Sequence, residues 1–113
     1  MSEPLIDERM IAGTVLAIRK GSFTVLDFSR TFRRKYPKEW RILTNRFGTY
    51  GSKRRYTVTT YLSNRLDQYS QKTDSLLVPF VRFKEGRFRG YRRTTAKEKC
   101  VFGSPWIAVF RKR

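Results

Sequence analysis

Apolar residues recur at helical spacing through the first two thirds of the chain and at alternate positions in the last third. Over roughly residues 6–19, Ile6, Met10, Ile11, Val15, Leu16 and Ile18 fall almost all round a helical wheel. That pattern predicts a first helix buried on several sides and ended by Gly21. Thr24 and Asp27 then stand at capping-box spacing, with Asp in place of the usual Glu. The helix they open is two-sided, with Val25, Phe28, Phe32 and Tyr36 on one face and Arg30, Arg33 and Arg34 on the other. Pro37 stops it and opens a short helix in which Trp40, Leu43 and Phe47 share a face and Gly48 is the C-terminal cap. Residues 48–55 form a loop with two glycines and three consecutive cations. A further helix is predicted over Thr57–Gln71, with Val58, Leu62, Leu66 and Tyr69 as its buried stripe and Tyr61 at the edge. Thr60, Ser63, Asn64 and Asp67 point the opposite way.

From Leu76 the period becomes two. Leu77–Lys84, a Glu85-Gly86 corner and Arg87–Arg93 read as a β-hairpin, because a two-residue loop with Gly second is a standard hairpin signal. Pairing across it sets Lys84 opposite Arg87, Phe83 opposite Phe88, and Arg82 opposite Arg89. One face carries Val81, Phe83 and Phe88; the other carries Arg82, Lys84, Arg87 and Arg89. Pro79 belongs on an edge or at a bulge. A last strand, about Trp106 to Phe110, precedes the basic tail Arg111-Lys112-Arg113. There is no internal repeat, low-complexity tract or linker rich in Ser, Gly and Pro. The expectation is an α+β fold in one domain spanning 1–113, with a helical part over about 5–71 and a β part over about 76–111.

Composition adds the partner class. Lys and Arg number 26 against 9 Asp and Glu, a formal charge of +17. With 39% hydrophobic and 15% aromatic residues, the chain is too rich in large apolar groups for a disordered polycation. Residues 1–50 carry 10 basic and 5 acidic side chains, and residues 51–113 carry 16 and 4. Such a balance points to polyanions, nucleic acid first. The absence of His excludes His-based triads and nearly all catalytic zinc sites. The single Cys, Cys100, allows no intrachain disulfide and no thiolate cluster, so neither a metal nor another cofactor is expected. Cys100 reads as a small buried hydrophobe, although its neighbour Lys99 would favour the thiolate. No apolar run spans a membrane. The acidic start, Met1-Ser2-Glu3-Pro4-Leu5-Ile6-Asp7-Glu8, is unlike a secretory signal, which points to a cytoplasmic or nucleoid-associated protein.

Four constellations carry chemistry. The Thr57–Gln71 helix presents small polar groups, Thr60, Ser63 and Asn64, with Arg65 beside them, and is flanked by Lys53-Arg54-Arg55-Tyr56. Asn suits a bidentate contact to adenine, Thr and Ser bond several base edges, and cations at a helix N-terminus favour phosphate. An ordinary amphipathic surface helix has the same pattern. The cationic hairpin face repels itself across the strands, and only a polyanion rewards that, unless the charges merely protect an exposed edge. The Arg30, Arg33, Arg34 and Lys35 face, continuing to Lys38 and Arg41, is a solvated basic surface or a backbone contact that fixes register. Lastly, aromatics alternate with cations in Arg87-Phe88-Arg89-Gly90-Tyr91-Arg92-Arg93, where Tyr91 is placed to stack a base. No glycine-rich phosphate loop is present.

Helix, brief extended Phe23-Thr24, helix, helix, hairpin and closing strand: this order resembles the winged helix-turn-helix superfamily. The resemblance is of pattern, over most of the chain. It implies that Thr57–Gln71 is the recognition helix and Leu77–Arg93 the wing. It implies base contacts from Thr60, Ser63, Asn64 and Arg65. Phosphate or minor-groove contacts would come from Lys53, Arg54, Arg55, Tyr56, Arg82, Lys84, Arg87 and Arg89. No catalysis is implied. The Pro37–Phe47 helix lengthens the turn before the recognition helix, and residues 94–113 leave room for an added strand or a homodimer contact. The leading reading is a non-enzymatic double-stranded DNA-binding protein, a transcriptional regulator or an architectural protein. An RNA-binding module of a ribonucleoprotein is the second. A small His-free ribonuclease of toxin type, using Arg, Lys and Tyr, is the third.

Overall fold

Asp7 caps the first helix, α1 (Glu8–Ala17), by accepting a hydrogen bond from the Met10 amide at 2.9 Å. The computed structural model describes residues 6–48, 57–80, 83–84, 87–88, 91–102 and 106–113. Ile11, Thr14 and Val15 of α1 are buried, but Leu16 is 70% exposed. The helix is therefore covered on one side rather than several. Its neighbours are α2 (Val25–Lys35) and α4 (Val58–Ser70), and its remaining face meets solvent. A short strand, β1 (Ser22–Thr24), leads into α2 through the expected capping box. The Asp27 amide donates to Thr24 Oγ1 at 3.2 Å, and the Thr24 amide donates to Asp27 Oδ2 at 3.0 Å. Two of the orphan amides of α2 are satisfied reciprocally.

Val25, Phe28 and Phe32 of α2 are buried, with Tyr36 half-buried after them. Pro37 opens α3 (Pro37–Phe47), and Gly48 ends it at a φ of 78°, a conformation that favours glycine. Leu43 is the buried residue of α3; Trp40 and Phe47 pack against the core at half exposure. The Val58 amide returns to the Gly48 carbonyl at 2.9 Å, closing the loop between α3 and α4. Val58, Leu62, Leu66 and Tyr69 form the buried stripe of α4, as the pattern predicts.

The connector 71–80 is fastened to the end of α4 by side chains. Ser70 Oγ accepts from the Phe80 amide at 2.9 Å, Tyr69 Oη accepts from the Leu76 amide at 3.0 Å, and Gln71 Nε2 donates to the Phe80 carbonyl at 2.8 Å. Of the predicted hairpin, 83–84 and 87–88 are among the described residues. β2 (Phe83–Lys84) and β3 (Arg87–Phe88) pair antiparallel with Phe83 opposite Phe88 and Lys84 opposite Arg87, the predicted register. Arg82 and Arg89 lie outside the described residues. Residues 89 and 90 lie outside the described residues, and Tyr91–Arg93 is extended. It forms β4 and pairs with the closing strand β5 (Trp106–Arg111). Leu77 bridges Lys112 farther along the same chain end. Phe80 joins the two parts: its ring meets Tyr91 edge-on at 5.6 Å and Phe110 at 4.9 Å.

The result is α+β, with four of the helices in the first part of the chain and all strands but β1 in the last part. β5 lies between β1 and β4 in an antiparallel sheet of order β1-β5-β4. α2 packs on β1 and β5. Between β4 and β5 sits α5 (Ala96–Phe102), a helix that the pattern of the chain leaves unassigned. Cys100 lies within it.

Two substitutions test this core. Phe28→Ala, at a fully buried ring, should cost about 3–5 kcal/mol. Leu16→Ala should change stability by less than about 0.5 kcal/mol, as for an exposed position. Urea unfolding midpoints measure both.

Candidate nucleic-acid interface

The helix expected to read bases is largely covered. α4 packs against α1, α2 and α3, and of its residues Gln68 alone is fully exposed. Thr60, Ser63 and Asn64 are half-buried on one side of it. Thr57 Oγ1 lies 2.9 Å from Thr59 Oγ1 and 3.4 Å from Thr60 Oγ1, so the first turn spends hydroxyls on itself. Arg65 is turned inward. Its Nη2 donates to the Ile6 carbonyl at 3.3 Å and its Nη1 to Gln68 Oε1 at 3.2 Å. This arginine ties α4 to the segment before α1. Lys53, Arg54, Arg55, Tyr56, Arg82 and Arg89 lie outside the described residues, and Lys84 and Arg87 are described only as a backbone pair.

Several cations near the closing strand have partners within the chain. Arg92 forms a bidentate pair with Glu98, Nη1 to Oε1 at 2.8 Å and Nη2 to Oε2 at 2.6 Å. Glu98 also accepts from the Thr95 amide at 2.9 Å, while its own amide donates to Thr95 Oγ1. That is a capping box opening α5. Arg93 lies over the Trp106 ring, 5.6 Å from its centre. Lys112 Nζ donates to the Ile18 carbonyl. Tyr91 is half-buried, with its ring edge-on to Phe80 at 5.6 Å.

The outer faces of α2 and α3 are different. Arg30, Arg33, Arg34, Lys35, Lys38, Arg41 and Arg46 are all exposed. Among the described residues, Arg30, Arg33, Arg34, Lys38 and Arg41 take part in no ion pair. Over residues 25–47 the acidic side chains are Asp27 and Glu39 against seven cations. Comparison with known protein families, with curated proteins and with solved structures finds no match to this chain. The function therefore rests on the residues themselves.

Among the described residues no group of three or more His, Cys, Asp or Glu is placed to hold a metal. Among the described residues no helix is long and apolar enough to cross a membrane. Lys20 and Arg19 extend the basic surface to the turn after α1, and Lys20 Nζ stands 3.5 Å from Asp27 Oδ1. The side chains of the hairpin cations lie outside what is described; among the described residues the exposed cations gather on α2 and α3, as the helical spacing of their arginines indicates.

The Arg92–Glu98 pair is testable by pH. Hydrogen bonds from Arg92, then from the Thr95 amide, hold the Glu98 carboxyl down to about 2, below its ordinary 4.5. The pair therefore stabilises α5 fully above about pH 4.5, and that support is lost as pH falls through about 2. The Thr95–Lys99 amide resonances should titrate near pH 2, and Glu98→Gln should abolish the transition and fray α5. A midpoint near 4.5 would contradict the pairing.

Proposed function

We propose that this protein is a non-enzymatic double-stranded DNA-binding protein that grips the duplex chiefly by its phosphate backbone. The observation that carries this reading is the exposed cationic face of α2 and α3, where five arginines and lysines lack carboxylate partners among the described residues. Such a face repels itself and gains free energy from a polyanion that releases condensed counterions on binding. The order of elements and the β1-β5-β4 sheet support the likeness to winged helix-turn-helix proteins. In that arrangement α4 sits nearest the groove, with half-buried Thr60, Ser63 and Asn64 as the base-facing groups. Because Arg65 is engaged inside the chain and these three are half-buried, backbone contact outweighs base readout, and an architectural role fits better than a strongly sequence-selective regulator.

The decisive measurement compares random duplex DNA, single-stranded DNA and structured RNA at several salt concentrations, with an RNA integrity gel alongside. Duplex DNA should bind most tightly, with log K falling against log salt at a slope of about −7 for roughly eight phosphate contacts. A slope near zero removes the reading. Preference for RNA, or its cleavage, replaces it with an RNA-binding or ribonuclease function.

A further inference from the structure

The basic surface is not uniform. At its edge an open cleft of about 780 Å³ runs between the end of α1 and the outer face of α2. Ala17, Arg19 and Lys20 line one wall, and Arg30, Thr31, Arg34 and Lys35 line the other, with Asp27 between them. Five cations thus face one concavity. Arg30 and Arg34 are one helical turn apart, so their side chains emerge on the same side of α2. The small residues Gly13 and Ala17 keep α1 thin here; a Cβ on Gly13 would stand 3.3 Å from Lys35 Cε.

The features that would repel an anion are already neutralised. Asp27 is engaged by Lys20 Nζ and by the Thr24 amide in the capping box. The negative end of α1 is countered by Lys112 Nζ, which donates to the Ile18 carbonyl. Thr31 Oγ1 gives its proton to the Asp27 carbonyl at 3.1 Å, so it has none to offer a ligand. What remains directed to the opening is cationic: the Arg19, Arg30, Arg34 and Lys35 side chains, all exposed.

We infer that this cleft is a phosphate-binding site that seats a phosphodiester of one nucleic-acid strand and so anchors the duplex at the α1–α2 edge. The inference rests on the proposed DNA-binding function and sharpens it from a diffuse basic face to one seat. Fork-shaped guanidinium donors at Arg30 and Arg34 suit bidentate phosphate contacts.

The test has two parts. Pyrophosphate is titrated into the full-length protein, with backbone amides and arginine side-chain resonances followed by NMR. Saturable shifts should concentrate at Arg19, Lys20, Arg30 and Arg34. Shifts spread evenly over Arg33, Lys38 and Arg41 as well would overturn the seat. In parallel, duplex affinity is measured for Arg30→Ala with Arg34→Ala, for Arg33→Ala with Arg41→Ala, and for Ala17→Glu. The last sets a carboxylate in the cleft from an exposed helical position without removing any cation. The cleft pair and Ala17→Glu should each weaken binding by about tenfold or more, and the cleft pair should flatten the salt slope by about 2. The Arg33 and Arg41 pair should lose only about two- to threefold, as for nonspecific charge removal. Equal losses for the two pairs, with no effect of Ala17→Glu, would show diffuse electrostatics and end the proposal. Wild-type duplex binding with an indifferent cleft pair overturns the seat alone. Pyrophosphate binding at the cleft without duplex binding overturns the DNA reading and assigns the seat to free phosphates.

Discussion

A continuous series of aromatic contacts holds this chain together against its own charge. It runs Tyr36, Phe32, Phe28, Phe23, Phe110, Phe80, Tyr91, with successive ring centres 5.3, 5.9, 6.4, 6.0, 4.9 and 5.6 Å apart. It begins at the end of α2, crosses the sheet through β1 and β5, and ends on β4. A charge of +17 opposes compaction, so the core must be dense for the size of the chain. Each fully buried Phe contributes about 1.5–3 kcal/mol by leaving water, and each ring pair adds about 0.5–1.5 kcal/mol. The series also settles where the charge goes. With Val25, Phe28 and Phe32 committed to the inside of α2, the helical repeat sends Arg30, Arg33 and Arg34 outward. Core and cationic face are two sides of one pattern.

The cations then divide by partner. Those beside β4 and β5 fasten the fold: Arg92 to Glu98, Arg93 over Trp106, Lys112 to the Ile18 carbonyl, and Arg113 to the Lys72 carbonyl at 3.4 Å. Those on α2 and α3 fasten nothing in the described chain, apart from Lys35, which lies near the Tyr36 ring, and Arg46, which lies over Phe47. An exposed pair such as Arg92–Glu98 is worth up to about 1 kcal/mol, so the engaged cations refine the sheet rather than create it. Their larger effect is on the field. Charges matched within the chain add little to what an approaching polyanion feels, whereas the unmatched α2–α3 face projects its full attraction.

What the sequence shows plainly is local. The Thr24–Asp27 capping box, the Val25-Phe28-Phe32 stripe, the Gly48 cap and the Val58-Leu62-Leu66 stripe depend on residues within a turn or two of each other, and all are present as read. The short hairpin register, Phe83 with Phe88, is local as well. A second capping box, Thr95 with Glu98, opens α5 and is passed over in the sequence reading. What sequence does not show is set by distant partners. Tyr91–Arg93 pairs with β5, more than a dozen residues on, and nothing in its local spacing names that partner. Arg65 turns inward to a carbonyl 59 positions away, and the periodicity of α4 is silent about that. The cleft joins residues 17–20 to residues 27–35 only once β1 has folded back against β5.

That dependence couples binding to folding through Lys112. It follows β5, donates to the Ile18 carbonyl at the end of α1, and is bridged to Leu77 across the sheet. The cationic wall formed by Arg19 and Lys20 is therefore held by the same strand end that closes the core. Salt must then act in two opposing directions. It screens the repulsion among the exposed arginines and so favours the compact chain, while it weakens the attraction of the same arginines for a phosphate backbone. Under the proposed function a bound polyanion would achieve the first effect without added salt, because it would neutralise the α2–α3 face directly and favour the folded form that assembles it. In the proposed DNA-binding function, the unmatched charge that costs the isolated chain stability is the source of affinity, and the aromatic series is what lets the chain carry that charge while unbound.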